Sequence, residues 1–342
     1  MRLVRRLSPI NRRYLVTSLS LLALAISAGA SAETPPVFER KWGTHEGLPG
    51  SEPGFLWNAG GLAANASNQI FVADNQNQRV QKFSALGTPL ASWPAGMPPP
   101  SGSGDGQLAQ PAGVDLDASG NVYVADSGNH RIQKFSSGGI FIAKWGTQGS
   151  GNGQFRFPLD VTVDEDGFIY VADTDNYRVQ KLSASGSFVT SWGDSGSGTG
   201  QFRQPVAIDV DPVSGDVFVS DLFRRNVQRF HADGTFVEIF VPTGSGPGQT
   251  NGPWGLEFDP SGNLYLVDRG GSRVEKFNNS GTLLSQWGGD GQGDGQFRSP
   301  QGITVAADGS VYVSDIYHGI QRFVYNVPAT PITWGRLKQW FP

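Results

Sequence analysis

Apolar and polar positions alternate in two short runs between residues 122 and 135, and a polar turn separates the runs. Val122 to Asp126 is rich in β-branched and aromatic residues, Ser-Gly-Asn follows, and Arg131 to Phe135 resumes the alternation. A period of two residues is typical of a half-buried strand, so this stretch predicts two antiparallel strands joined as a β-hairpin. Near-copies of the stretch occur five more times in the chain.

An aspartate closes the first strand of every copy and recurs at a nearly constant interval of 52, 47, 48, 47 and 47 residues. An arginine follows five residues later in four of the six copies. The aspartates are Asp74, Asp126, Asp173, Asp221, Asp268 and Asp315, and the arginines are Arg79, Arg131, Arg178 and Arg273. A period in the forties with several strands per unit predicts the blades of a β-propeller.

Two further strands complete each unit. An apolar segment lies upstream of each hairpin, and a strand ending in an aromatic residue lies downstream of the first five hairpins. One more strand of the second kind, Val37 to Trp42, precedes all the hairpins, whereas the last hairpin has none after it. The chain is therefore predicted to be all-β, a six-bladed propeller of four-stranded antiparallel blades whose ring is closed by the N-terminal strand.

Residues 37 to 324 resemble the NHL-repeat family, most closely at Asp126, Asn129, His130 and Arg131. The resemblance implies a six-bladed propeller and a role as a binding platform for protein or, in some members, RNA. It implies no single activity. The recurring Asp and Arg are interpreted as local architecture, because an Asp at a strand end accepts bonds from turn amides and an Arg five residues on can reach it.

The first 32 residues differ in kind from the repeats. Five arginines without an acid precede the apolar run Leu15 to Ala28, and Ala30-Ser31-Ala32 follows. This pattern predicts a secretory signal peptide cleaved near Ala32, and hence an exported, bacterial-type family member that is periplasmic or extracellular. Arg12-Arg13 leaves the twin-arginine and the general export routes both open. The predicted domains are residues 1–32, the propeller at 33–325 and a tail at 326–342.

Charge narrows the range of partners. Removal of the signal peptide takes five of the 26 basic residues and none of the 30 acidic ones, which leaves 21 minus 30, a net charge of −9. Nucleic-acid binding relies on a basic surface that neutralises phosphates, so no nucleic-acid partner is expected. The chain contains no cysteine, which excludes disulfides and thiol chemistry.

The hairpin turns are the variable part of the repeat, and in a propeller they share one face with the Gly-rich connections between blades. Aromatic and arginine side chains of the kind that dominate interfaces occur there. They are Tyr177, Phe223, Arg224, Arg225, Arg269, Tyr317 and His318. We expect this face to bind a protein or a cell-envelope glycan, and the competing interpretation is a solvated loop rim.

A second variable position lies on the innermost strand of each unit, where Asp115, Asp209 and Glu257 are acidic. Carboxylates at equal depth near the ring axis suit Ca²⁺ or Mg²⁺. The preferred interpretation is that each carboxylate pairs with an Arg or a backbone amide of the adjacent blade, so no cofactor is expected.

The enzyme relatives of the family include the amidating lyase propeller, whose central metal is held by histidines. The four histidines of this chain do not occupy one equivalent inner position, and no catalytic residue is assigned. The expected function is a non-catalytic binding scaffold. The alternative is a metal-dependent lyase or lactonase-type hydrolase that uses the three inner carboxylates.

The C-terminal tail is not part of the repeat. Trp334, Leu337, Trp340 and Phe341 fall on one face at helical spacing, which predicts a short amphipathic segment. Such a short helix is ordered only when its apolar face docks. The propeller's own flank, a membrane surface and an anchoring partner all remain open as the docking site.

Overall fold

The structure is a computed structural model that describes residues 33–44, 50–94 and 102–325. Its 24 strands form six separate four-stranded antiparallel sheets. The helical elements among these residues are three single 3-10 turns, and none is long or apolar enough to cross a membrane. The predicted signal peptide and C-terminal tail lie outside the described residues and stay predictions.

Each sheet is a blade with four radial positions. The innermost strands are β2 (Ala59–Ala64), β6 (Pro111–Leu116), β10 (Asp160–Val163), β14 (Pro205–Val210), β18 (Pro253–Phe258) and β22 (Pro300–Val305). The second strands are β3 (Ile70–Asp74), β7 (Val122–Asp126), β11 (Ile169–Asp173), β15 (Val217–Asp221), β19 (Leu264–Asp268) and β23 (Val311–Asp315). The third strands are β4 (Arg79–Phe83), β8 (Arg131–Phe135), β12 (Arg178–Leu182), β16 (Asn226–Phe230), β20 (Arg273–Phe277) and β24 (Gly319–Val324). The outermost strands are β1 (Val37–Trp42), β5 (Pro89–Trp93), β9 (Phe141–Trp145), β13 (Phe188–Trp192), β17 (Phe236–Val241) and β21 (Leu283–Gly288).

The blades close into a ring. Each innermost strand contacts the innermost strands of both neighbouring blades, and β2 contacts β22. The N-terminal strand β1 pairs antiparallel with β24, from Val37 opposite Val324 to Trp42 opposite Ile320. The predicted six-bladed all-β propeller is therefore confirmed, and the strand that closes it is the one left unpaired in the sequence pattern.

The core lies between neighbouring blades. All five residues of every second strand are buried, because each blade is covered by another blade on both faces. Aromatic residues of the outer strands bridge these interfaces. The ring of Trp93, for example, is 6.1 Å from that of Phe71 in its own blade and 6.3 Å from that of Phe135 in the next.

The repeated aspartate ties each hairpin to its Gly-rich connection. In the second blade, Asp126 accepts bonds from the backbone amide of Ala109 at 2.7 Å and from Nε of Arg131 at 2.7 Å. The guanidinium of Arg131 also donates to the carbonyl oxygens of Ser103 and Gly104 in the connection. The buried pair of Asp126 and Arg131 thus holds the connection against the hairpin turn. Because both segments lie on the same face of the propeller, these contacts fix the shape of that face.

The fourth blade makes the same connection with a different residue. Asn226 stands in the position of the arginine, and Nη1 of Arg224 instead donates to the carbonyl oxygens of Gly198, at 2.7 Å, and Gln201. The third blade uses Arg178 for the equivalent carbonyls of Gly151 and Gln154. Arg224 therefore has an architectural contact although it lies in the variable turn.

The sixth blade has a turn one residue shorter, so that Gly319 pairs with Asp315. Gly319 has φ +70°, and a Cβ at this position would overlap the carbonyl oxygen of Trp42 in the closing strand. In the shortened turn His318 is buried, with 7 % of the residue exposed, and its Nδ1 lies 3.4 Å from Asp315.

Candidate functional site

A cavity of about 440 Å³ lies on the ring axis and opens on the hairpin-turn face. Its mouth is formed by residues of the hairpin turns, including Gln76, Arg269 and Ile316. Its depth is lined by the innermost strands of all six blades. A concave site with mixed apolar and polar walls of this size is typical of a small-ligand or chain-end binding site.

One wall of the cavity is made of amide side chains from the first, second and sixth blades. Nε2 of Gln301 donates to Oδ1 of Asn58 at 3.2 Å, and Nδ2 of Asn58 donates to Oδ1 of Asn75 at 3.4 Å. Asn75 in turn donates to the carbonyl oxygen of Pro111 at 3.0 Å. Gln76 and Gln110 extend the wall to the mouth. These amides offer both donors and acceptors to a ligand.

The opposite wall is apolar and comes from the third to fifth blades. Phe157, Leu159, Val206 and Trp254 contribute to it. The guanidinium carbon of Arg269 lies 4.6 Å from the centre of the Trp254 ring, a cation–π distance. The two walls together give a ligand one face for hydrogen bonding and one for packing.

The floor of the cavity is the belt of inner carboxylates predicted from the sequence. Oγ1 of Thr162 lies between Asp115, at 3.0 Å from Oδ2, and Asp209, at 3.1 Å from Oδ1. Thr304 donates to Glu257 at 3.1 Å. Backbone amides of the next blade complete the pairing, with Val163 donating to Asp115. Phe258 likewise donates to Asp209 at 2.7 Å.

Burial raises the pKa of all three carboxyl groups, and repulsion within the belt adds to the shift at Asp209 and Glu257. The pKa of Asp209 is raised to about 7 by burial and by the charge of Asp115. The pKa of Glu257 is raised well above its ordinary value by burial and by the charges of Asp209 and Asp115. The described residues include no group of three His, Cys, Asp or Glu side chains arranged to hold a metal ion. Metal binding at this belt, the alternative to the expected absence of a cofactor, stays untested.

Asp160 is a fourth carboxylate at this site. It accepts a bond from the backbone amide of Ile208 at 3.0 Å, and burial together with Asp115 and Asp209 raises its pKa well above the ordinary value. The same strand position in the other blades holds only small residues, namely Gly61, Gly113, Ala207, Gly255 and Gly302. That exception among small residues is the sequence signal that could have identified Asp160.

A second cavity of about 290 Å³ lies on the other side of the carboxylate belt. It shares Asp115, Thr162, Asp209 and Glu257 with the first cavity and adds the acidic residues Asp164 and Glu165. The belt is thus a partition on the ring axis that separates an amphipathic cavity from an acidic one.

The predicted binding-face residues differ in how accessible they are. Phe223, Tyr317 and Tyr177 are 63 %, 46 % and 39 % exposed. Arg225 is exposed and Arg269 lines the cavity. In contrast, Arg224 is bonded to its own Gly-rich connection and His318 is buried, so neither presents a free side chain to a partner as the sequence pattern suggested.

The site also contains residues that the sequence pattern did not indicate, above all Trp254 and Gln301. Both follow the proline at the start of an innermost strand, where the equivalent residues of the other blades are small or aliphatic. A comparison of this position across the six repeats would have singled out both.

Comparison with known families identifies the repeat. The family model described as NHL repeat matches residues 56–83, 108–135 and 155–182. Protein lin-41 of Caenorhabditis elegans is 51 % identical over 43 residues, which is 13 % of this chain and 4 % of lin-41. The similarity to lin-41 therefore concerns about one repeat.

Solved structures share the fold at low sequence identity. A streptogramin B lyase has a TM-score of 0.58 at 16 % identity, with 84 % of this chain and 97 % of the lyase covered. A gluconolactonase from Xanthomonas campestris has a TM-score of 0.59 at 16 % identity, with 86 % and 96 % covered. A virginiamycin B lyase from Staphylococcus aureus has a TM-score of 0.54 at 12 % identity, with 81 % and 83 % covered. Identities this low establish the fold alone. The chain is therefore a six-bladed β-propeller, and its first three blades contain matches to the NHL repeat.

Proposed function

We propose that this protein is a non-catalytic binding protein that takes a glycan in the axial cavity of its hairpin-turn face. The observation that carries the proposal is the division of that cavity into an amide wall and an apolar wall with a tryptophan. Amide groups match the paired donors and acceptors of sugar hydroxyls, and an indole ring packs against the apolar face of a sugar ring.

The amide wall is ordered before any ligand arrives. The bonds from Gln301 to Asn58 and from Asn58 to Asn75 fix the orientation of these side chains. Preorganised polar groups cost less entropy on binding, which favours recognition of a flexible sugar chain. If residues 1–32 direct export, the glycan is a component of the cell envelope.

A titration with oligosaccharides tests the proposal. Calorimetry with a panel of neutral and charged hexasaccharides should find at least one that binds to the chain. Trp254→Ala should then weaken its affinity by about 10- to 100-fold, since buried aromatic anchors dominate such contacts. Trp57→Ala is the matched control, because Trp57 is 50 % exposed on the same face and does not line the cavity.

Absence of binding to every glycan, with capture of a protein segment that depends on Trp254, would replace the glycan by a protein partner. Equal losses in the Trp254 and Trp57 variants would exclude the cavity as the site.

The carboxylate belt favours a second candidate, a lyase or lactonase-type hydrolase. A carboxyl group such as Asp209, with a pKa raised to about 7, is suited to general acid or base catalysis at neutral pH. The same samples can be assayed for cleavage of the bound glycan. Turnover that is lost in Asp209→Asn would favour the enzyme, whereas binding without turnover favours the binding protein.

A further inference from the structure

Five arginines form an arc around the mouth of the axial cavity. Arg156, Arg203 and Arg298 end the Gly-rich connections to the third, fourth and sixth blades, each after the same Gln-Phe pair. Arg225 lies in the hairpin turn of the fourth blade, and Arg269 lines the cavity in the fifth. We call this set the arginine arc. It occupies the sector from the third to the sixth blade and adjoins the amide wall at the sixth.

The charges of the arginine arc are not neutralised within the molecule. None of the five forms an ion pair with another residue in the described ranges. Arg156, Arg203, Arg225 and Arg298 are exposed. The acidic residues beside the arc contact its backbone: the amides of Arg156, Arg203 and Arg298 donate to Asp173, Asp221 and Asp315, and the amide of Asp175 donates to the carbonyl oxygen of Arg156 at 3.1 Å.

The opposite end of the blades is different. There four of the six basic side chains at equivalent positions of the third strands are paired with acids, as in Lys134 with Asp117 at 2.9 Å and Arg229 with Asp216 at 2.7 Å. Lys276 and Arg322 are likewise paired, with Glu33 and Asp308. Lys82 and Lys181 instead donate to backbone carbonyl oxygens. The described part of this acidic protein thus carries most of its unpaired positive charge on the face with the cavity. Unpaired charge of one sign around a cleft attracts ligands of the opposite sign.

We propose that the glycan recognised by this protein is anionic and that the arginine arc binds its carboxylate, sulfate or phosphate groups. This inference rests on the proposed function and names the class of glycan. Arginine is suited to this role because its planar guanidinium donates two parallel hydrogen bonds to such groups.

The position of the charges within the site follows from the acidic floor. Asp115, Asp160, Asp209 and Glu257 line the bottom of the cavity, and Arg269, the basic residue among the described lining residues, lies at the mouth, so an anion has no counter-charge at the bottom. An uncharged ring of the glycan therefore enters between Trp254 and the amide wall, and the anionic groups of neighbouring sugars remain at the rim, beside Arg203, Arg269 and Arg298.

Three hexasaccharides that differ in charge test the inference, namely hexagalacturonate, cellohexaose and the fully deacetylated glucosamine hexamer. Hexagalacturonate should bind most tightly of the three. Its affinity should fall as NaCl is raised from about 50 to about 500 mM, because the electrostatic screening length then falls from roughly 14 to roughly 4 Å. The double variant Arg203→Gln/Arg298→Gln should weaken its binding at least about tenfold and flatten the salt dependence. Binding of cellohexaose should change little.

The control is Arg40→Gln/Lys82→Gln, which removes the same charge from the flank and the opposite end of the blades. It should leave hexagalacturonate affinity within about twofold of wild type, because exposed charges more than a screening length away contribute little.

The outcomes separate the two proposals. Equal, salt-independent binding of hexagalacturonate and cellohexaose, lost in Trp254→Ala, would overturn the anionic class and leave the glycan function standing. Tightest binding of the cationic glucosamine hexamer would also overturn the anionic class, because it would indicate recognition by the carboxyl groups of the floor. A single-stranded oligonucleotide that binds more tightly than hexagalacturonate would replace the glycan by nucleic acid. Failure of all three hexasaccharides to bind would contradict the glycan function itself.

Discussion

At the scale of single residues, Glu275 shows how one substitution changes a repeated network. The other five blades carry glutamine here, and Gln133 is typical. Its Oε1 accepts from the amide of Gly106 at 3.0 Å, and its Nε2 donates to the carbonyl of Gln107 and to Asp126. Glu275 accepts the equivalent amide bond from Gly248, but its buried Oε2 has no hydrogen-bond partner. Burial raises the pKa of Glu275 to about 7, with Arg273 opposing and Asp268 adding to the shift.

Replacement of this residue by the repeat's own glutamine should stabilise the protein at high pH. A carboxyl group with a folded-state pKa near 7, above its ordinary value of 4.5, favours the fold below pH 4.5 and loses that contribution as pH rises through 7. Glu275→Gln should therefore gain roughly 2 kcal/mol in unfolding free energy at pH 8 and nearly nothing at pH 5. Urea denaturation across this pH range measures the difference.

Gln133→Glu is the reciprocal variant and should lose stability at pH 8 by a similar amount. A difference between Glu275→Gln and wild type that stays constant from pH 5 to pH 8 would contradict the assigned pKa.

At the scale of elements, the sixth hairpin shows how a shortened turn and ring closure depend on each other. Gly319 pairs with Asp315 and has a positive φ, and the carbonyl of Trp42 occupies the space of a Cβ. Gly319→Ala should therefore cost about 3 kcal/mol of unfolding free energy, through strain and displacement of the closing strand.

Gly309→Ala is the matched control for this loss. Gly309 has φ +79°, but no atom lies within 4 Å of a Cβ placed there. This variant should therefore lose only the roughly 1 kcal/mol of unfolding free energy that the backbone conformation costs. Chemical denaturation of both proteins measures the difference. Equal losses would show that close approach to Trp42 does not matter.

The same hairpins show what the sequence could and could not predict. Blade number and ring closure follow from the spacing of the aspartates and from one unpaired strand, because each repeat must bury its faces against a neighbour. The direction of a long side chain does not follow from spacing. Arg224 lies in a variable turn yet replaces the missing arginine of the fourth blade by reaching back to Gly198. Asp160 likewise gains its place at the cavity floor only through neighbours that are distant in sequence.

At the scale of the whole molecule, the ring depends on a strand contributed from the other end of the chain. Besides pairing with β24, β1 brings the ring of Trp42 to 6.0 Å from that of Tyr312 in the sixth blade and 6.3 Å from that of Phe83 in the first. The closing strand therefore joins two blades as well as completing one, and the axial cavity depends on the ring that it closes.

Removal of residues 33–43 should consequently destabilise the sixth blade and lower the melting temperature by about 10 °C or more. Each kcal/mol of unfolding free energy that is lost lowers the melting temperature of a large domain by about 2–4 °C. Removal of residues 33–36 alone is the control. It deletes the contact between Glu33 and Lys276 but keeps β1, and it should lower melting by only a few degrees. A synthetic peptide of residues 33–43 should restore much of the loss by adding the strand back to the exposed edge of β24. A protein lacking residues 33–43 that melts as the full chain does would show that the ring does not need β1.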